Sequence, residues 1–146
     1  VLQAAFGWNS THLYQFDIGN TAYGPLDEDD PDQRTIDDRK VRLADVVRAG
    51  QRFSYRYDFG DDWGHDIVVE SVDATEVGAA YPLCTGGARA CPPDDCGGPF
   101  GYLDLLEALG NPAHEAHAEM REWVGGHWDP EGFDANAVNR ALREIV

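Results

Sequence analysis

The alternation that runs from Phe53 to Phe59 constrains this chain more than any other feature. Phe53, Tyr55, Tyr57 and Phe59 are interleaved with Ser54, Arg56 and Asp58, the period of a strand with one face buried and the other in water. The pattern predicts an aromatic core stripe. It breaks where Gly60 and Gly64 bracket Asp61, Asp62 and Trp63, and a second β-rich run then extends from His65 to Val72. Two such runs around a connection rich in Gly and Asp read as a β-hairpin. Its tip collects acids, a Trp and a His, and turns on a rigid scaffold are where functional groups are often held.

The 146 residues fit one domain, 1–146, and 42% hydrophobic residues suffice for a core. No apolar run approaches the ~20 residues of a membrane span. Val1 to Phe6 lacks the charged start and long apolar stretch of a signal peptide and reads as a helix end. Lys plus Arg number 11 against 27 Asp plus Glu, a net charge of −16. Affinity for nucleic acid rests largely on cations that neutralise phosphates, so direct nucleic-acid binding is disfavoured, as is an anionic membrane surface. The partner expected is a protein or a small ligand, and the expected location is the cytoplasm.

Elsewhere the pattern predicts a strand from His12 to Ile18, a Gly19-Asn20 turn, and a strand from Thr21 to Tyr23. Pro25 to Lys40 carries Asp27, Glu28, Asp29, Asp30, Asp32, Asp37 and Asp38. It lacks the glycine and terminal Glu of a calcium loop, so it reads as an exposed acidic loop. Leu43 to Ala49 reads as a short helix stopped by Gly50, and Tyr102 to Leu109 as a helix with Leu105, Leu106 and Leu109 on its core stripe. Another helix is expected from Asn111, as N-cap, to Val124. Asp134 is expected to cap a terminal helix with Ala137, Val138, Ala141, Leu142 and Ile145 on its packing face.

Between Tyr81 and Tyr102, prolines and glycines forbid a continuous helix or central strand, so something other than a backbone ladder must staple this loop. Cys84, Cys91 and Cys96 are the only cysteines. Their odd number, without a secretory segment, points to reduced thiols or a metal before a disulfide framework. A structural zinc site needs four ligands, and His114 and His117, three apart on the expected helix, supply candidates to join the three thiolates. Buried cysteines that pack the loop without any metal are the simpler reading.

Three segments carry a family resemblance: Tyr55 to His65 (YRYDFGDDWGH), Cys91 to Pro99 (CPPDDCGGP) and Trp128 to Asp134 (WDPEGFD). With them the chain resembles the plasmid pRiA4b ORF-3-like family over nearly its whole length. Val1 to Trp8 is similar to that family's first helix, which normally follows a strand, so an N-terminal strand is expected to be missing here. Where the family usually has Glu, this chain has Asp94 or Asp95. The resemblance implies an α+β fold, with an antiparallel β-sheet whose hairpins pack against helices and a C-terminal helical cluster. It also implies an association with plasmids or mobile elements, where members sometimes carry a resolvase-like name, but it carries no activity.

Neither a recombinase nor a serine hydrolase is supported. Ser10, Ser54 and Ser71 form no nucleophile cluster, and no Gly-x-Ser-x-Gly elbow occurs. Three readings remain open. One is a non-enzymatic binding module, in which Asp58, Asp61, Asp62, Trp63 and His65, together with Asp94 and Asp95 of the Cys/Pro loop, receive a protein or ligand. Another is a metal-dependent hydrolase or nuclease in which those carboxylates and His65 hold Mg²⁺ or Mn²⁺. The third is a domain stapled by zinc through Cys84, Cys91, Cys96, His114 and His117.

Overall fold

In the computed structural model the described residues are 1–26 and 34–145. Asp27, Glu28, Asp29, Asp30 and Asp32 of the expected acidic loop lie outside them. In chain order the elements are α1 (Leu2–Phe6), β1 (Tyr14–Ile18), β2 (Thr21–Gly24), β3 (Thr35–Asp37), a 3₁₀ turn (Asp38–Lys40), α2 (Leu43–Val46), β4 (Arg52–Tyr57), β5 (Trp63–Val68), α3 (Gly98–Gly110), α4 (His117–Trp123) and α5 (Ala135–Glu144). The fold is α+β. The chain forms two compact units, a sheet unit, Thr11–Glu76, and a helical unit, Val1–Ser10 with Val77–Val146.

The sheet has the order β3-β2-β1-β4-β5. Its pairs are antiparallel except β2 and β3, which run parallel with Tyr23 opposite Ile36. The sheet is therefore mixed rather than wholly antiparallel as expected. β3 escaped detection because it is three residues long and sits inside the acidic run. Asp37, expected in an exposed loop, is buried. Arg39 donates to both of its carboxylate oxygens and Lys40 stands 3.4 Å away. The Arg39 hydrogen bond is the main cause that brings its pKa down to about 2.

Register explains the core of this unit. Tyr14 faces Tyr57, Phe16 faces Tyr55, and Tyr55 in turn faces His65, which sets these side chains on one side of the sheet. The Phe16 and Tyr55 rings lie 4.7 Å apart and the Tyr55 and His65 rings 5.5 Å, distances at which aromatic pairs attract. Tyr55 and Tyr57 are 1% and 0% exposed. The opposite side carries Gln15, Asp17, Ser54, Arg56 and Asp66, as a one-faced sheet requires. Phe59 departs from the predicted stripe and is half exposed. The strand ends at Tyr57 and Asp58 turns to φ +56°, so the period-two phase is lost before Phe59 is reached.

In the helical unit α1 packs on α5 and α3 on α4. α3 begins at Gly98, four residues before the expected Tyr102, because left-handed Gly97 and Gly98 turn the chain into it and Pro99 sits in its first turn. Gly101 is required there, since a Cβ would lie 2.1 Å from the Cys96 carbonyl oxygen. α4 starts only at His117. Asn111 caps the amide of Ala113, and the His114 ring accepts from Ala116 N, so Asn111 to Ala116 form turns rather than helix. α5 begins as expected, with the Asp134 carboxylate accepting from the amides of Asn136 and Ala137. Leu142 on its packing face is buried, whereas Ile145 is half exposed. α2 is a single turn, because Val47 returns to extended backbone.

Candidate functional site: the hairpin tip

The five residues 58–62 join β4 to β5, and Asp58 builds their shape. Its backbone N–H donates to Leu13 O at 2.9 Å, and its Oδ1 accepts from Gly60 N at 2.9 Å and Asp61 N at 3.3 Å. An Asp that satisfies the amides just ahead of it is the usual way such a turn is fixed. Its other oxygen stands 3.7 Å from Nδ1 of His12, a distance for an ion pair when His12 is protonated but too long for a hydrogen bond. Asp58 is 8% exposed. It forms the frame of the tip and not its surface.

His65 points elsewhere. It lies on the aromatic side of the sheet, where its Nδ1–H donates to the Tyr55 carbonyl at 3.2 Å. Burial pushes its pKa below the ordinary histidine value, against the raising effect of hydrogen bonds to the Tyr55 and Trp63 backbone. Asp62 projects outward, with φ +56° and a carboxylate 3.5 Å from the Arg56 guanidinium. That guanidinium carbon lies 5.9 Å from the centre of the exposed Phe59 ring, within reach of a cation–π contact. Asp61 and Trp63 are partly buried. No three of Asp58, Asp61, Asp62 and His65 bring ligand atoms within 4.8 Å of one another.

Asp94 and Asp95 belong to the helical unit. Asp94 accepts from Asn9 N at 3.1 Å, and Asp95 is exposed with φ +60°. The surrounding Cys/Pro loop is held by hydrogen bonds from distant parts of the chain. Asn139 clamps Cys84, accepting from its N–H at 2.7 Å and donating to its carbonyl at 2.9 Å. Trp8 Nε1 donates to Pro92 O at 3.0 Å, Ala90 N to Pro130 O, and Arg89 pairs with Glu131 at 3.2 Å.

The three cysteines are free thiols. Burial, with Asp94 and Cys96 nearby, pushes Cys91 up to about 12, which keeps it a protonated packing group. His117 Nδ1–H donates to Ala108 O at 2.8 Å, and His114 serves Ala116 as described. No three of Cys84, Cys91, Cys96, His114 and His117 present ligand atoms within 4.8 Å of one another.

Sequence reasoning passed over His12, whose only signal was a polar residue at the start of a strand. Its link to Asp58 arises from the β1–β4 pairing and is invisible before the strands are aligned.

Residues 1–137 match the family of the plasmid pRiA4b ORF-3-like protein, and the chain belongs to that family. It is 40% identical over 149 residues to the uncharacterized protein y4hQ of Sinorhizobium fredii (strain NBRC 101917 / NGR234), an alignment that takes in all of this chain and 76% of that protein. It is also similar to the crystal structure of a protein of unknown function, MM3350 from Methanosarcina mazei Go1, with a TM-score of 0.82 and 32% identity. That likeness covers 92% of this chain and 77% of the other. Among the described residues no helix is long and apolar enough to cross a membrane.

Proposed function

We propose, for this member of the plasmid pRiA4b ORF-3-like family, a non-enzymatic binding role in which the tip of the β4–β5 hairpin receives a cationic segment of a partner protein. The observation that carries it is the division of labour at the tip. Asp58 is occupied by turn amides and His65 by a strand carbonyl, so the two groups best suited to acid–base chemistry serve the fold. What projects is an exposed aromatic ring, Phe59, and the exposed carboxylate of Asp62, each near the Arg56 guanidinium, on a chain of net charge −16. A ring and a carboxylate that already hold Arg56 suit a segment that mixes Arg or Lys with apolar side chains, the partner's cation replacing Arg56 there. The association with plasmids or mobile elements belongs to the same proposal and rests on the family's name.

Fluorescence anisotropy tests it, with labelled peptides of alternating Arg and Leu as probe and Glu/Leu peptides as control. Binding to the cationic probe is expected to weaken about tenfold in the Asp61→Asn/Asp62→Asn variant and to fall with added salt. Turnover of a substrate by protein supplied with Mg²⁺ or Mn²⁺, lost in folded Asp62→Ala and Trp63→Ala variants, would overturn the proposal in favour of the hydrolase.

A further inference from the structure

The helical unit contains an open cleft of about 570 Å³, within the size range of small-ligand sites, roughly 300–1,000 Å³. One wall is the end of α3, through Leu106 and Leu109, and another is α4 with Val124 just beyond it. The third is the start of the WDPEGFD segment, a motif that stands out in the sequence and that the hairpin tip does not use. Trp128 there is steadied by an edge-to-face contact with Tyr102, ring centres 6.1 Å apart. Left-handed Gly125 and Gly126 make the turn that brings Trp128 round, and Gly126 N bonds back to Arg121 O.

Three polar groups line this largely apolar space: His117, Arg121 and Asp129. His117 has its Nδ1–H committed to Ala108 O, which leaves Nε2 as the ring atom for a ligand. Asp129 accepts from Glu131 N and so serves the turn. The exposed Arg121 side chain, like those of Arg48, Arg52 and Arg143, has no carboxylate within 4.0 Å among the described residues, and of these four it is the one that lines the cleft. A guanidinium with no carboxylate within 4.0 Å among the described residues, beside an apolar wall, is the complement of an organic anion.

We propose that this cleft binds a small monocarboxylic acid with an aromatic or branched apolar body, its carboxylate on Arg121 and its body against Leu106, Leu109, Val124 and Trp128. An Arg–carboxylate pair is planar and commonly bidentate, which fixes the head while the apolar walls hold the rest. One cation with Asp129 nearby suits a single negative charge. A phosphate, carrying closer to two, keeps one charge that the single Arg does not neutralise, costs more to desolvate and is repelled more by Asp129 and the acidic chain.

Isothermal titration calorimetry with 4-phenylbutyrate as probe tests the assignment, with 4-phenylbutanol and phenyl phosphate as comparisons. Saturable binding of phenylbutyrate is expected, with the alcohol and the phosphate each at least about tenfold weaker. Arg121→Gln should lower phenylbutyrate affinity by about tenfold and leave that of the alcohol unchanged. Methyl NMR shifts should fall on Leu106, Leu109 and Val124, and the cationic peptides that address the hairpin tip should leave those methyls unmoved. Equal binding of acid and alcohol, no loss in folded Arg121→Gln, shifts confined to other residues, or no saturable heat from phenylbutyrate would each overturn it.

Discussion

The hairpin tip and the Cys/Pro loop are both irregular, yet they are held in opposite ways. Asp58, one residue beyond β4, fixes the tip through amides two and three positions ahead of it. The Cys/Pro loop is fixed from afar: Asn139 reaches it across 55 positions of sequence and Trp8 across 84. A locally built turn keeps its shape wherever its strands pair, and under the proposed function its outward residues serve recognition. A loop held by remote side chains keeps its shape only while several elements stay docked.

The comparison is most easily broken at Gly101. Gly101→Ala drives a Cβ into the Cys96 carbonyl and is expected to cost more than about 3 kcal/mol, because backbone must move on both sides. Urea unfolding measures it, and a cost below about 1 kcal/mol would mean that the start of α3 is not locked to the loop. Asn139→Ala comes next. It leaves the Cys84 N–H and C=O without their clamp and is expected to cost about 2 kcal/mol. Hydrogen exchange should show residues 83–90 opening while β4 and β5 keep their protection.

Asp58→Ala removes the one oxygen that accepts from two amides at the tip, at a cost of about 1 kcal/mol. Asp58→Asn keeps an acceptor oxygen and tolerates the left-handed backbone, so it should restore most of that. In this case exchange should quicken at Gly60 and Asp61 alone.

The smallest effect is one of pH. Burial, then the hydrogen bond to Asp38, raises Tyr14 from 10.0 to about 12. The folded state therefore holds a proton that the unfolded chain releases, so this contribution is complete below pH 10 and is lost as pH rises toward 12. A stability profile of Tyr14→Phe should lack that alkaline decline.

Legibility in the sequence followed the same division. Period-two alternation revealed β4, a β-rich run read from His65 to Val72 revealed β5 although the strand spans Trp63–Val68, and Asp134 announced α5, because each signal lies within a few residues of its effect. Phe59 was misplaced where alternation was carried one step past a left-handed Asp58. The expected helix at Asn111 failed because Asn111 and His114 took the amides a first turn would have organised. β3 was hidden in an acidic run, and its buried Asp37 became readable only with Arg39 and Lys40 around it. Of the residues read as the turn, Asp61 and Asp62 do lie between the strands, whereas Trp63 is already the first residue of β5. His65 was assigned to the tip although its ring belongs to the sheet, and His12 went unnoticed because strand pairing alone brings it to Asp58. The clamp on the cysteines' loop is Asn139 on the last helix, a residue type with no signature in number or spacing.

Chemical-shift mapping of ¹⁵N-labelled protein with the Arg/Leu peptide puts the central claim to its most direct test. The account predicts shifts at Phe59, Asp61, Asp62 and Trp63, with His65 unmoved on the aromatic side of the sheet and the Asp58-capped amides of Gly60 and Asp61 still protected from exchange. Saturable binding whose shifts leave residues 59–63 untouched, or no binding at all, would contradict it.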